Sequence, residues 1–353
     1  MQSSLKLPLT SYCEKFALRG GGSVAPDSIK ASIGSSELGI SDTGIAAQTG
    51  ALYGDLWHRY SDADFSHSIN LIYERMVTNQ FDFDLIKGKR CLDLGCGGGR
   101  ASALMLELGA REVTAVDVSE TGLQNAAERI GERPNMIFTQ ASCLDLPFDN
   151  EYFDFVWCSG VLHHSESTEL GLAELMRVLK NNGWFFLLLY GSGGARWDAV
   201  MKLRGISQEI GYDLVNTAAI RAGLSPAKQR HFLDDLFVPI INFYSDEEVR
   251  NMLQSHEVQH IQPWSLGKAE DETNEEALIN DLEQLGAIFS TLQDLVKGDE
   301  VQASVEKGAK YLTSLIEEIR GLKQQLHQGV LERGNFEKFT FGYGHHRLHG
   351  RKP

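Results

Sequence analysis

The sequence predicts a doubly wound, mostly parallel α/β sheet that carries helical insertions. Three observations lead there. From residue 90 onward, short apolar runs alternate with amphipathic helical stretches, the rhythm of βαβ units. A glycine-rich turn, Gly95-Cys96-Gly97-Gly98-Gly99, joins the first apolar run to the first helix. Two later amphipathic stretches are too long to be crossover helices and read as an added hairpin.

Each element follows in order. Residues 91–94 form the first strand. Residues 101–108 form a helix with Leu104, Met105 and Leu108 on one face. Residues 113–116 are the second strand, ending in Asp117, and Ser119 is placed to cap a helix over 121–130. Strands follow at 136–138 and 153–157, a helix at 170–179, and a continuous apolar strand at 184–190, as expected of one buried on both faces. The rhythm then breaks, and 191–245 reads as helical. Ser245 caps a short helix whose first turn holds Asp246, Glu247 and Glu248. Residues 258–261 suit a strand. Leu278, Leu282, Leu285, Phe289 and Leu292 stripe one long helix. Val305, Leu312, Leu315, Ile319, Leu322 and Leu326 stripe the next, with a break at Gly298-Asp299. Residues 339–341 read as the last strand, followed by a basic tail holding His345, His346 and His349. Residues 1–50 read as a flexible leader, with order beginning near Ala51. Tyr53, Trp57 and Tyr60 then recur at helical spacing, either as a core-facing stripe or as a lid over a ligand.

The chain has 353 residues, with 33 basic and 48 acidic side chains and a net charge of −15. Such a surface repels phosphate backbones, so nucleic acid is not expected as the main partner. Five cysteines without a CxxC pair suit reduced thiols in a cytoplasmic protein, and their scatter is not metal-ligand spacing. No apolar run is long enough for a membrane span, and residues 1–22 lack a signal-peptide pattern.

The chemistry gathers at the carboxyl ends of the parallel strands, where open α/β sheets bind ligands. Glycines let the backbone approach a ligand closely. Arg100 stands where a dinucleotide fingerprint has its third glycine. Asp93, just before the turn, repels pyrophosphate and attracts an ammonium. Asp117 is placed to accept both hydroxyls of a ribose. Ser142 and Cys143 follow the third strand, at the height of an adenine edge, and Ser159-Gly160 follow the fourth. His163-His164 is the one histidine pair placed for proton transfer, with His164 the first candidate. Cys96, Cys143 and Cys158 are expected as small buried fillers.

The blocks Leu92-Asp93-Leu94-Gly95-Cys96-Gly97-Gly98-Gly99, Ala115-Val116-Asp117-Val118-Ser119, Leu146-Pro147-Phe148, Phe153-Asp154-Phe155-Val156 and Val161-Leu162-His163-His164 resemble the class I S-adenosylmethionine-dependent methyltransferases. The branch they are most similar to includes ubiquinone- and menaquinone-type enzymes. The resemblance covers roughly residues 85–190. It implies a Rossmann-like, seven-stranded sheet with its last strand antiparallel, and S-adenosyl-L-methionine as cofactor. Asp93 with Gly95, Cys96, Gly97, Gly99 and Ser159 would hold the methionine part, Asp117 and Val118 the ribose, and Ser142 and Cys143 the adenine. Many relatives carry an acid where Ser142 stands. Tyr53, Trp57 and Tyr60 would cover the cofactor.

The division implied is a leader (1–50), covering helices (51–84), the cofactor-binding core (85–190), a cap insertion (191–245), a core helix and strand (246–266), a helical hairpin (267–335), and a last strand with basic tail (336–353). Both insertions leave from the cofactor edge, so they are expected to build a cap over the methyl group. Substrate contacts are then sought at Tyr190, Arg196, Trp197, Arg204, His231 and Tyr244. The tail histidines, following an antiparallel strand, are expected at the far end. The hairpin's apolar stripe would serve equally to pair two copies. The acceptor is expected to be a small molecule, methylated on O, S, N or C; the absence of an Asn-Pro-Pro-Tyr-type block disfavours planar nitrogen. Action on tRNA or protein, and a non-catalytic cofactor-binding role, stay open as alternatives.

Overall fold

The computed structural model describes residues 33–35, 44–58, 61–265 and 274–353, without the side chains of 33–35, 57 and 58. Its centre is an eight-stranded sheet. The strands in chain order are β1 (Ile33–Ser35), β2 (Arg90–Leu94), β3 (Glu112–Asp117), β4 (Met136–Gln140), β5 (Phe153–Ser159), β6 (Leu179–Tyr190), β7 (Gln259–Pro263) and β8 (His345–Arg351). Across the sheet they run β1-β4-β3-β2-β5-β6-β8-β7. All neighbours are parallel except β8, which is antiparallel to both β6 and β7. This is the Rossmann-like order expected, with β1 as an eighth strand from the stretch read as leader.

The covering helices are α1 (Gly44–His58) and α2 (Asp62–Thr78). The crossovers are α3 (Arg100–Glu107), α4 (Glu120–Ile130) and α5 (Thr168–Val178). Ser119 caps α4 as predicted, its Oγ accepting from the Gly122 N–H at 3.1 Å. Apolar residues of β2, β3 and β5 are buried on both faces, which parallel strands between helical layers require.

The insertions are helical. Residues 191–245 give α6 (Ala195–Ile210), α7 (Tyr212–Arg221) and α8 (Pro226–Phe237). Ser245 then caps α9 (Asp246–Ser255) with a reciprocal capping box to Glu248. The hairpin is α10 (Glu275–Gln293) and α11 (Asp299–His327), parted at Gly298. Leu278, Leu282, Leu285, Phe289, Leu292, Val305, Leu312 and Ile319 are buried against α6, α7 and α8, in one apolar cluster that also takes Leu56 of α1. Leu322 and Leu326, at the end of the same stripe, are half-buried. Among the described residues no helix is long and apolar enough to cross a membrane.

Two expectations fail here. Helix α1 begins at Gly44, ahead of the start expected near Ala51, and Thr49, Gly50 and Leu56 are buried along it. The last strand is not 339–341. Those residues end α12 (Arg333–Thr340), where Phe336 and Thr340 are buried one turn apart, and Thr340 Oγ1 donates to the Phe336 carbonyl at 2.8 Å. The strand is His345–Arg351. Its polar sequence hides it, and it forms because the open edge of β6 supplies a full row of backbone partners. His345 therefore lies opposite Tyr190, at the carboxyl edge of β6, contrary to the far-end placement expected of the tail. His346 Nε2 donates to the Tyr244 carbonyl at 2.7 Å, and His349 contacts Trp264 deeper in the sheet.

Candidate cofactor cavity

A cavity of about 450 Å³ opens at the carboxyl ends of β2, β3, β4 and β5. The turn after β2 forms its floor. The Gly95 and Cys96 amides both donate to the Val116 carbonyl, at 2.8 and 2.9 Å, which folds the turn back over the end of β3. Gly95 sits at φ +70°, and a Cβ there would fall 2.3 and 2.6 Å from the two methyls of Val161. Only glycine fits. Gly97 donates its N–H to Asp117 Oδ2 at 2.8 Å, and Ser119 donates to Oδ1 at 2.8 Å. The carboxylate is thus fixed at the cavity wall; burial raises its pKa, and these amides hold it down.

The sheet loops supply the other walls. Ser142 Oγ accepts from Leu144 N–H at 3.1 Å, in a tight loop that brings both Ser142 and Asp145 to the cavity. α1 closes the top with Ile45, Ala46, Thr49 and Tyr53. It lies directly on α4: a Cβ on Gly54 would meet Thr121 at 2.9 Å. Thr49 Oγ1 is buried at this wall without a hydrogen-bond partner.

Most predicted cofactor residues meet here: Tyr53, Gly95, Cys96, Gly97, Asp117, Val118, Ser142, Cys143 and Ser159 all line the cavity. Two do not. Asp93 is buried behind the turn, where its Oδ2 accepts from Ser102 N–H at 2.8 Å and Ser102 Oγ at 2.6 Å. It braces α3 against β2 instead of facing a ligand; burial raises its pKa to about 6. Gly99 caps α3 and packs against Ala126 and Ile130. The side chain of Trp57, and all of Tyr60, lie outside the described residues. Of the cysteines, Cys158 is buried filler, whereas Cys96 and Cys143 are wall; burial pushes the Cys143 thiol up to about 12, so it stays protonated.

His164 lines the cavity. Its Nδ1 donates to the Ile240 carbonyl at 2.8 Å, which leaves the lone pair on Nε2. Burial lowers its pKa to about 4, so the ring is neutral. His163 is fully buried, stacked on Tyr190 with centroids 3.8 Å apart, and does not reach the cavity.

None of the six expected substrate residues lines the cavity. Arg196 is paired to Asp235 and, at 3.7 Å, to Asp281, with its guanidinium 4.5 Å above the Trp197 ring. Arg204 donates to the Asp235 and Val238 carbonyls. His231 meets Arg196 and Asp281. The rings of Tyr190 and Trp197 are in tilted contact, centroids 4.8 Å apart. Tyr244 exchanges backbone bonds with Tyr190 and Ser192. These groups hold the helical layer to the sheet, because buried charges and amides take the partners nearest them.

Sequence reasoning missed the first turns of α1, Arg100, Asp145, and Ser165 with Glu166. Ile45, Thr49 and Tyr53 share one helical face, a spacing hidden by reading the segment as leader.

Residues 92–187 match a family model described as a methyltransferase domain. The chain is 34% identical over 156 residues to a probable phthiotriol/phenolphthiotriol dimycocerosates methyltransferase 2 of Mycobacterium ulcerans, covering 43% of this chain and 58% of that one. It is 40% identical over 98 residues to a demethylmenaquinone methyltransferase of Clavibacter sepedonicus, covering 28% and 40%. It is 31% identical over 200 residues to a phthiotriol/phenolphthiotriol dimycocerosates methyltransferase of Mycobacterium tuberculosis, covering 55% and 70%. The chain thus spans about half the length of the first curated relatives it matches.

Proposed function

Because the chain belongs to the class I S-adenosylmethionine-dependent methyltransferases, we propose that it transfers the methyl group of S-adenosyl-L-methionine to a small-molecule acceptor. The carrying observation is the convergence of the glycine turn, Asp117 and the Ser142–Asp145 loop on one cavity of about 450 Å³, ample for a nucleoside-sized ligand.

The donor set fits the cofactor. A carboxylate has about four lone-pair sites. Gly97 and Ser119 take two of those on Asp117 and the Val118 amide bears on the same carboxylate, which leaves acceptor capacity for a ribose hydroxyl. Asp145 supplies, three residues along, the acid that Ser142 lacks for an adenine amino group. Arg100 brings a cation for the amino-acid carboxylate, and the bare face of Gly95 accommodates the chain beside it. Thr49 Oγ1 awaits a partner on the same wall. When bound, the cofactor supplies an electrophilic methyl on a sulfonium. The protein's contribution is alignment and exclusion of water, which can account for much of the rate of such a displacement. Of the histidine pair, only His164 is placed to touch the acceptor. Relatives named for phenolphthiotriol dimycocerosates and for demethylmenaquinone support a small molecule in that position. Among the described residues, none of 191–245 or of the helical hairpin lines this cavity, so the cap expected of them is not part of its wall.

Titration calorimetry with S-adenosylmethionine, S-adenosylhomocysteine and NAD tests the reading. Both adenosyl compounds should bind, and Asp117→Ala should weaken them at least tenfold. Binding of NAD alone, or of none of the three, overturns it.

A further inference from the structure

Among the described residues Tyr53 is the one tyrosine that lines the cavity, and its ring stands 5.7 Å from that of His164. Behind it, on α8, lies Asp234, whose carboxylate faces the Tyr53 phenol. One oxygen of that carboxylate, Oδ1, is buried and has no hydrogen-bond partner. The neighbouring charges are otherwise engaged. Arg196 and Arg204 of α6 reach Asp235 and the carbonyls of α8 and its end, and Tyr190 of β6 lies among the stacked rings. A buried carboxylate oxygen left open costs free energy unless it has work to do.

We propose that Tyr53 and Asp234 form a two-residue proton relay that receives the proton of a hydroxyl acceptor. The acceptor oxygen bonds to the methyl carbon as the carbon–sulfur bond breaks, its electron pair staying on sulfur. The hydroxyl proton passes to the Tyr53 oxygen while the tyrosine proton passes to Asp234. The relay ends with a neutral carboxylic acid, a neutral phenol, a methyl ether and a neutral thioether. Burial raises Asp234 above the ordinary carboxylate range, which suits it to keep that proton, and the nearby Tyr53 hydroxyl and the two guanidiniums oppose that rise. Burial also holds Tyr53 well above its ordinary value, so it relays a proton and does not ionise. Tyr53 is the catalytic residue; Asp234 acts through it.

The inference rests on the methyl-transfer reading, and two measurements separate their failures. The first needs neither cofactor nor acceptor. Infrared titration of the protein alone should show a carboxyl band, titrating above the ordinary carboxylate range, that is absent from Asp234→Asn. In Tyr53→Phe the same band should titrate higher still, because the phenol no longer stabilises the carboxylate. Loss of no such band, or a band indifferent to Tyr53, overturns the relay even where cofactor binding holds.

The second offers 1-naphthol, 1-naphthylamine and 1-naphthalenethiol with S-adenosylmethionine. The naphthol should be methylated. Tyr53→Phe and Asp234→Asn should each lower kcat about 100-fold with KM little changed. The acid limb of the kcat profile should vanish in Asp234→Asn and return in Asp234→Glu. Preferred methylation of the amine or thiol, or an acid limb that follows His164→Gln instead, overturns the relay.

Discussion

Replacing Gly95 by alanine separates two physical demands made on one residue. The backbone there has φ +70°, a region that costs an L-residue about 1–2 kcal/mol. The new methyl would also lie 2.3 and 2.6 Å from the two methyls of Val161, and overpacking of that kind costs about 1–3 kcal/mol. Together they predict a loss of roughly 2–5 kcal/mol, a large part of an ordinary domain's stability. Urea unfolding of Gly95→Ala, Val161→Ala and the double variant divides the two. Val161→Ala removes both offending methyls, so the double variant should regain most of the packing cost and keep the backbone cost. The interaction energy should be about 1–2 kcal/mol favourable. A single variant within about 0.5 kcal/mol of the parent, or additive behaviour in the double variant, would refute the claim that the turn is built for close approach.

Three further outcomes follow from the same kind of reasoning. Asp93 has a folded pKa of about 6, above its ordinary 3.8, so the native state holds its proton more tightly than the unfolded chain. Its contribution to stability is therefore full below the ordinary value and lost as pH rises through about 6, a swing of at most ~3 kcal/mol. Asp93→Asn, which keeps an oxygen for Ser102, should flatten that slope in unfolding measured against pH; an unchanged slope contradicts it. Phe289→Ala in α10 empties the space where the ring meets Gly308 and should cost about 3–5 kcal/mol by chemical unfolding; a cost under about 1 kcal/mol means the helical layer is not packed as described. Ser245→Ala removes the capping box of α9 and should cost ~1 kcal/mol while leaving ligand calorimetry unchanged.

What the sequence made legible is what local patterns encode. β2, β3 and β5 announce themselves because buried parallel strands must be apolar throughout, and Ser119 and Ser245 because an N-cap needs a short side-chain oxygen. The glycine turn and Asp117 were legible for the same reason: their roles are backbone geometry and strand position. β8 was not, since its pairing is imposed by the free edge of β6 and its residues are His, Arg and Gly. Asp93 was misread because a strand-end acid looks the same whether it meets a ligand or the Ser102 hydroxyl. The cap residues were misread for a related reason. Sequence shows Arg196, Arg204 and His231 only as polar groups beyond the last parallel strand, and tertiary contact alone shows that Asp235, Asp281 and carbonyl oxygens engage them.

That charge arrangement bears on the chemistry. Asp235 and Asp281 meet Arg196 and Lys228, and Arg204 satisfies two carbonyls at the end of α8. The pairs close among themselves, as a buried network must to be tolerated. His231 is exposed at the edge of this network, where desolvation and the nearby cations lower its pKa. Asp234 is the member left with an open oxygen, and it is also the member that faces the cavity-lining Tyr53. If the network served only to fasten the helices, the open oxygen would most simply belong to an acid pointing away from the cavity. Its position beside Tyr53, which lines the cavity, is the feature that the proposed relay uses.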